Sequence, residues 1–289
     1  MQYEGHTCRS FSEKLTYTLP VSVGCAYNHC KFCRLFKQLQ YRLLPLDQIE
    51  AELHRVRDLG GNPETIFLGD GNAFGMETSR LLHILGMVRH YFPNCRTINM
   101  DATVTDIHEK TDDDLRRLYE SGVRRLYLGI ESGLDDVLAF MRKDHNTAEA
   151  YQQIRRMRDA GLVFCAHIMT GIAGRNRGLE NAEALARFFN RTQPERIVNF
   201  SLFLHRSVPL YQDILEKRFI PADEVENLQE AYSLLEQLGP SPLSYDGFHD
   251  QVELRVRGNL PQDRHTMLER LKGATATYSR QEPIVAYVA

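Results

Sequence analysis

Strand-like and helix-like runs alternate along the chain as far as residue 204. Each strand-like run is short and rich in apolar or β-branched residues, and three of the six are followed directly by a glycine or an acidic residue. Between them, apolar residues recur every three or four positions, which is the spacing of an amphipathic helix. The pattern predicts strands over residues 16–23, 65–68, 97–103, 123–130, 162–169 and 196–204.

A small set of residues marks the expected helix boundaries. Pro45 opens the first predicted helix, and the glycine pair at 60–61 closes it. Thr78 and Ser79 are candidate caps of the second helix, and Thr111 is the expected N-cap of a third, because a hydroxyl oxygen can accept a hydrogen bond from a first-turn N–H group. Further helices are predicted in the stretch that ends at residue 161, and over residues 179–190, 223–238 and 263–272.

Six successive strand–helix units predict the fold class. Such alternation is typical of a parallel sheet with right-handed crossovers. Six units favour an α/β fold in the form of a partial (β/α)6 TIM-like barrel of parallel strands, with a doubly wound sheet as the alternative. Residues 1–204 are therefore predicted to form the core domain. Residues 205–289, where prolines interrupt a weaker pattern, are predicted to be a C-terminal extension that packs on this core.

Unusual strings follow four of the predicted strands. A cysteine loop follows the first strand, Gly-Asp-Gly-Asn (69–72) the second, Glu-Ser-Gly (131–133) the fourth, and Gly-Ile-Ala-Gly (171–174) the fifth. In barrels and in doubly wound sheets, ligands bind at the carboxyl ends of the strands. We therefore expect the four strings to converge on one mouth.

Composition argues against several classes of function. The 289 residues carry a net charge of −3, with a pI near 6.4, so the chain has no overall basic field for nucleic acid. No apolar run approaches the length of a membrane span, and the N-terminus lacks the features of a signal sequence. These features predict a soluble cytoplasmic protein whose thiols stay reduced.

Three of the six cysteines lie close together in the first loop. Cys25, Cys30 and Cys33 form a C-x4-C-x2-C cluster, which can hold three irons of a four-iron cluster and leave the fourth open for chemistry. A zinc site usually takes four ligands, often from two C-x2-C pairs; His29 could complete one here, but no second pair exists. The spacing therefore favours an iron–sulfur site over zinc. The remaining cysteines are scattered singly: Cys8, Cys95 and Cys165.

From about residue 15 to residue 210, the chain resembles the radical S-adenosylmethionine (SAM) enzymes, in the branch of oxygen-independent coproporphyrinogen oxidases and tRNA methylthiotransferases. The resemblance rests on the cysteine cluster, with Phe32 before its last member, and on the order of the strand-end strings. It implies that Cys25, Cys30 and Cys33 are the catalytic and metal-binding residues of a [4Fe-4S] cluster. The amino and carboxylate groups of SAM would chelate the open iron. The first cysteine gap is one residue longer than the usual C-x3-C-x2-C of the family.

The resemblance also implies which residues bind SAM. The aromatic ring before the last cysteine and the fifth-strand string lie near the adenine, the second-strand string receives the amino group, and the fourth-strand string contacts the ribose. The residues concerned are Phe32, Gly69, Asp70, Gly71, Asn72, Glu131, Ser132, Gly171 and Ile172.

Four further residues are open to two interpretations. Arg142 or Lys143 could pair with the SAM carboxylate, or could be a charged helix end at the surface. Asp101 could face the mouth and hold substrate, or could cap a helix or turn. His167 could line the cavity, or could be a hydrogen-bonded interior histidine.

The implied function is that of an enzyme. A reduced cluster cleaves SAM to give methionine and a 5′-deoxyadenosyl radical, which abstracts hydrogen from a small-molecule substrate. Two alternatives remain: cleavage of a different SAM bond with aminocarboxypropyl transfer, and a non-catalytic iron–sulfur carrier or sensor. The cluster also implies an electron donor such as a flavodoxin or ferredoxin. Nucleic acid and membrane partners are not expected.

Overall fold

Strands and helices alternate in the structure, as the hydrophobic pattern predicts. The computed structural model describes residues 13–249, 252–278 and 283; Cys8 lies outside these residues. The strands are β1 (Tyr17–Pro20), β2 (Ser22–Val23), β3 (Arg42–Leu43), β4 (Thr65–Gly69), β5 (Thr97–Ala102), β6 (Val123–Glu131), β7 (Val163–Thr170), β8 (Arg196–Ser201), β9 (Leu243–His249) and β10 (Leu254–Leu260).

The helices follow the predicted order, with short additions. A 3₁₀ turn (Ala73–Gly75) follows β4, and a short helix that the sequence pattern did not predict follows β5. The α-helices are α1 (Leu46–Asp58), α2 (Thr78–Tyr91), α3 (Val104–His108), α4 (Asp112–Glu120), α5 (Asp135–Phe140), α6 (Thr147–Asp159), α7 (Gly178–Thr192), α8 (Pro209–Leu215), α9 (Glu224–Gln237) and α10 (Arg264–Thr277).

One of the two cap predictions is confirmed and the other is wrong. Thr111 caps α4 in a capping box, in which its side chain accepts from the N–H of Asp114 and the Asp114 carboxylate accepts from the N–H of Thr111. Thr78 and Ser79 do not cap α2, whose N-cap is Glu77 and has no side-chain hydrogen bond. Thr78 is the first residue of α2 and therefore lies one position after the cap.

Eight of the strands form one open sheet in the order β1-β4-β5-β6-β7-β8-β9-β10. The pairs β1/β4, β4/β5, β5/β6, β7/β8 and β8/β9 are parallel, and β9/β10 is antiparallel. Strands β2 and β3 form a separate antiparallel pair. The α/β class with a mostly parallel sheet is therefore confirmed.

The expectation that β8 is the last clear strand is wrong, because β9 and β10 extend the same sheet. Their runs mix apolar residues with Asp246, Gly247 and several arginines, which weakens the strand pattern. Tertiary partners satisfy these polar groups. Asp246 accepts two hydrogen bonds from the Arg255 guanidinium, and the Tyr245 hydroxyl accepts one from Asn199 of β8.

The chain divides into two units, each with its own buried apolar side chains. The described residues of the first unit are 13–28, 35–128 and 152–164; those of the second are 29–34, 129–151, 165–249, 252–278 and 283. The first unit fully buries Ile66, Phe67 and Leu68 in the middle of β4. The second buries a cluster that includes Phe32, Met141 and Ile172. The predicted domain boundary at residue 204 stays a prediction.

None of the helices in the described part of the chain combines the length and the apolar character that a membrane span requires.

Candidate active site

In the first unit, the Gly-Asp-Gly-Asn string packs against the start of the cysteine loop. Gly71 has a φ of +58°, and a Cβ built on it would lie 2.1 Å from the carbonyl oxygen of Gly24. Asn72 continues this contact, because its Oδ1 accepts a 2.9 Å hydrogen bond from the N–H of Ala26, the residue after Cys25. The two strings predicted to form the site are therefore in direct contact at this point, and only glycine fits at position 71.

The Asp106 carboxylate fixes the side-chain amide of Asn72. The Nδ2 group of Asn72 lies 3.1 Å from both carboxylate oxygens of Asp106. The same carboxylate accepts from the N–H of Thr103, in the capping box that begins α3. Burial raises the pKa of Asp106 to about 6, although these hydrogen bonds oppose the shift. The sequence analysis missed Asp106; its capping-box spacing after Thr103 is the signal that could have found it.

The first two residues of the string are tied to the strands beside them. The carbonyl oxygen of Gly69 accepts from the N–H of Val21, and that of Asp70 accepts a 3.0 Å bond from the Ser22 hydroxyl. Asp70 itself is buried, at 1% exposure. The string is thus held through its backbone, which leaves its conformation fixed at the carboxyl end of β4.

In the second unit, the later part of the cysteine loop packs on an apolar cluster. Cys30, Phe32 and Cys33 contact this cluster, whose members include Ile172. The backbone of Lys31 is fixed on both sides, since its N–H donates to the carbonyl of Met141 and its carbonyl accepts from the N–H of Leu210, each at 3.0 Å. Phe32 and Ile172 are therefore brought together, as the sequence analysis expects of two adenine-side residues.

The Cys30 thiol lies in a largely buried environment that also holds charged groups. Burial raises the pKa of Cys30 to about 11, while the Lys143 ammonium opposes the shift and Glu131 adds to it. None of the five described cysteines forms a disulfide. Cys30, Glu131 and Lys143 therefore lie close enough for their charges to affect one another.

Glu131 has an unusual backbone and an incomplete set of partners. Its φ of +62° is rare for a residue with a side chain, and such conformations concentrate at functional sites. Its Oε1 lies 3.6 Å from Nζ of Lys143, beside Gly129, where a Cβ would come within 2.4 Å of this oxygen. Its Oε2 is buried and has no hydrogen-bond partner among the described residues. Burial raises the pKa of Glu131.

The two cations proposed for the SAM carboxylate occupy different positions. Lys143 is nearly buried, with 7% of its side chain exposed, between the carboxylates of Glu131 and Asp144. Arg142 is exposed, with a φ of +55°. The structure therefore brings Lys143 to Glu131, whereas the role of Arg142 stays a prediction.

His167 is a half-buried residue of β7 in the second unit. Burial lowers its pKa to about 4, and the Lys143 ammonium contributes to this shift. Its ring meets the ring of Phe200 edge-on, with 6.2 Å between centroids. His167 is therefore neutral at physiological pH.

A buried hydrogen-bond chain joins the other two predicted strings. The Ser132 hydroxyl donates to Oδ1 of Asn181 at 2.7 Å, and Nδ2 of Asn181 donates to Oε1 of Glu230 at 2.7 Å. The second oxygen of Glu230 accepts from the N–H of Gly171 at 2.8 Å. Asn181 on α7 and Glu230 on α9 thus fix Ser132 and Gly171 relative to each other.

The sequence analysis missed both connecting residues. Asn181 and Glu230 belong to helices, and no motif marks them. Each of them is a polar residue on a helix face that is otherwise apolar. Such a residue indicates a buried hydrogen bond, because a buried polar group requires a partner. Glu230 is 1% exposed and Asn181 is fully buried.

Glu230→Gln is expected to flatten the pH dependence of the free energy of unfolding. Burial raises the pKa of Glu230 from 4.5 to about 8, so the folded protein keeps a proton that the unfolded chain releases. This contribution is complete below pH 4.5 and is lost as the pH rises to about 8. The wild-type free energy of unfolding should therefore fall through this window by up to about 1.4 kcal/mol per pH unit. Urea unfolding at several pH values measures the slope.

The matched control for this experiment is Glu183→Gln on the exposed face of α7, where 61% of the side chain is accessible. This variant should keep the wild-type slope. If Glu230→Gln also keeps it, the carboxyl of Glu230 is not protonated in the folded protein.

The residues present fit the cofactors that the resemblance implies. Three thiols supply the soft ligands of an iron–sulfur cluster, and the buried Oε2 of Glu131 leaves an acceptor for a hydroxyl group of SAM. No three His, Cys, Asp or Glu side chains among residues 13–249 and 252–278 are arranged to hold a metal ion. That finding concerns single ions, whereas each cysteine of a four-iron cluster binds a different iron.

Comparison with known sequences identifies relatives over much of the chain. It is 22% identical over 211 residues to the heme chaperone HemW of Bacillus subtilis (strain 168), covering 72% of this chain and 55% of the relative. It is 27% identical over 169 residues to a tRNA-2-methylthio-N(6)-dimethylallyladenosine synthase of Chlorobium luteolum, covering 56% and 37%. The matched part of the chain thus corresponds to about half of the first curated relative and to a smaller part of the second.

Among solved structures, the coproporphyrinogen III oxidase HemN of Escherichia coli is similar, with a TM-score of 0.61 and 18% identity over 77% of this chain and 52% of that one. This likeness concerns the fold and confirms the partial-barrel class. The family model of the Radical SAM superfamily matches residues 19–188, more than half of the chain. The chain therefore belongs to the radical SAM superfamily.

Proposed function

We propose that this protein is an enzyme that cleaves SAM reductively and abstracts hydrogen from a small-molecule substrate. The observation that carries the proposal is the contact of Gly71 and Asn72 with the start of the cysteine loop. Gly71 lets the second-strand string approach Gly24 because it has no side chain at the point of contact. The next residue, Asn72, accepts a hydrogen bond from the N–H of Ala26. A loop clamped in this way is preorganised to bind a ligand beside the cysteines, which a simple iron–sulfur carrier does not require.

The residues have separate tasks in this proposal. Cys25, Cys30 and Cys33 hold the cluster, which with SAM supplies a 5′-deoxyadenosyl radical when both are bound. The backbone of residues 69–72 receives the SAM amino group. Glu131 accepts from the ribose through its unpartnered Oε2, and Lys143 keeps this carboxylate oriented.

The adenine side of the proposed SAM site is apolar. Phe32 and Ile172 belong to one buried cluster, and Gly171 is held by its N–H bond to Glu230. Side chains packed in this way exclude water, which a radical reaction requires because the radical must meet only its intended hydrogen. Ser132 positions the ribose side through its bond to Asn181.

The proposal includes a reductant and a compartment. A one-electron donor such as a flavodoxin or ferredoxin would reduce the cluster, and the cytoplasm would keep the three thiols available for iron.

A second candidate function is that of a heme chaperone, and the sequence similarity to the heme chaperone HemW of Bacillus subtilis favours it. In that case the cluster and SAM would serve binding rather than turnover. Aminocarboxypropyl transfer is the other alternative, because the longer gap between Cys25 and Cys30 alters the loop that orients SAM on the iron.

The experiment is SAM turnover by anaerobically reconstituted protein. After reduction with dithionite and addition of SAM, we expect 5′-deoxyadenosine and methionine in equal amounts by mass spectrometry. Methylthioadenosine in place of 5′-deoxyadenosine would favour aminocarboxypropyl transfer. Protein with a full cluster that forms neither nucleoside would contradict catalysis, and a heme titration followed by absorbance would then test the chaperone function.

A further inference from the structure

Asp101 is a half-buried residue at the carboxyl end of β5, and its carboxyl has no structural task among the described residues. Its Oδ1 is inaccessible to solvent and has no hydrogen-bond partner there. It caps no helix, because the side chain of Thr103 caps α3. Carboxyl ends of parallel strands are where ligands bind in this class of fold. An unpartnered acceptor in such a place indicates a ligand contact.

Two further carboxyls lie near Asp101 in the first unit. Asp70 and Glu13 both act electrostatically on Asp101, and together with burial they hold the pKa of Asp101 well above its ordinary value. Both neighbours are buried, at 1% and 6% exposure. The environment of Asp101 is therefore strongly electronegative.

Both carboxylate oxygens of Glu13 accept hydrogen bonds from other side chains, which distinguishes Glu13 from Asp101. Its Oε1 accepts from the Asn99 amide at 2.8 Å and from the Tyr127 hydroxyl at 2.7 Å, and its Oε2 accepts from the Thr16 hydroxyl at 2.7 Å. These bonds hold the Glu13 carboxylate in place. Asp101 is the carboxyl of this group that offers a buried oxygen without a described partner.

The chemistry of the group selects the charge of its ligand. An anionic ligand would add negative charge beside Asp70 and Glu13 and would make ionisation of Asp101 still less favourable, and an apolar ligand would leave Oδ1 without a partner. An ammonium or guanidinium group supplies both N–H donors and a compensating positive charge.

We propose that Asp101 binds a cationic nitrogen group, an ammonium or a guanidinium, of the substrate. The proposal rests on the proposed function, since it names the class of molecule whose hydrogen is abstracted. Asp101 acts here as a specificity-determining residue. SAM also carries an ammonium and a sulfonium, so the test must separate the two sources of positive charge.

The test uses calorimetric titration of reconstituted protein saturated with SAM. The probes are n-butylammonium and n-butylguanidinium, and n-butanol is the neutral probe of similar length. Asp101→Asn keeps the shape of the side chain and removes its ability to become negative, so the protein should fold and keep its thermal midpoint. Asp159→Asn is the matched control, because Asp159 is an exposed aspartate of the same unit.

We expect at least one cationic probe to bind wild type and Asp159→Asn at least tenfold more tightly than Asp101→Asn, and butanol to bind all three equally. Equal binding of the cations to wild type and Asp101→Asn, or no preference for cations over butanol, would overturn the proposal. A tenfold loss of SAM affinity in Asp101→Asn would also overturn it, because the recognised cation would then belong to SAM.

This test and the test of the proposed function can fail separately. Probe binding is measured without turnover, so a protein that binds cations through Asp101 but forms no 5′-deoxyadenosine contradicts only the proposed catalysis. A protein that forms 5′-deoxyadenosine but shows no Asp101-dependent probe binding contradicts only the cationic-substrate proposal.

Discussion

Gly71→Ala is expected to lower the free energy of unfolding by about 2–5 kcal/mol and to prevent stable cluster assembly. The left-handed backbone of this residue costs alanine about 1–2 kcal/mol. The new Cβ would lie 2.1 Å from the carbonyl oxygen of Gly24, and moving backbone to relieve such a contact costs about 1–3 kcal/mol. The displaced group is the residue before Cys25. Urea unfolding and iron content after reconstitution measure the two effects.

Gly86→Ala is the matched control for this variant. Gly86 lies inside α2 in the same unit, and apart from its own helix backbone and chain neighbours no described atom lies within 4 Å of a Cβ built on it. Alanine is favoured over glycine in a helix, so the control should raise the free energy of unfolding by about 0.5–1 kcal/mol and keep the iron. If Gly71→Ala behaves like Gly86→Ala, the close approach of the two strings does not exist in solution.

Cys30→Ser is expected to abolish both the cluster and SAM turnover. A four-iron cluster that retains one open iron needs all three thiolates, and a serine hydroxyl is a hard, weakly acidic ligand that binds iron–sulfur clusters poorly. The readouts are iron and sulfide per chain, the visible absorption of the reconstituted protein, and 5′-deoxyadenosine formed after reduction.

Cys95→Ser is the matched control for the cysteine experiment. Cys95 is a partly buried free thiol whose Sγ lies 3.7 Å from the carbonyl oxygen of Thr97. This variant should keep full iron content and turnover. Retention of a full cluster by Cys30→Ser would contradict the assignment of Cys30 as an iron ligand.

Helix and strand positions were largely predictable because they depend on local pattern. Thr111 and Asp114 lie three residues apart in the chain, so their reciprocal cap is visible in the sequence. Thr78 shows the limit of this reasoning, because the same residue type lies one position inside α2, which begins after Glu77 without a side-chain cap. A helix start without a reciprocal side-chain cap leaves no such signal in the sequence.

The strands missed after residue 204 have the same explanation. The polar groups of Asp246 and Tyr245 are buried in β9 only because Arg255 and Asn199 meet them across the sheet. Without these partners, the run Leu243–His249 has no clear alternation of apolar and polar residues. Burial of polar groups depends on partners that are distant in the chain.

The cysteine spacing and the order of the strand-end strings are readable from the chain alone, and they are enough to indicate a family with a known type of cofactor. Ligand identity is carried by residue type and spacing, which are properties of the chain alone. The tertiary structure decided that Asn72 and Gly71 meet the cysteine loop, and that Asn181 and Glu230 join Ser132 to Gly171. It also decided that Asp101 is left without a described partner for Oδ1. These contacts connect residues far apart in the chain, and their energies depend on burial that only the folded protein creates.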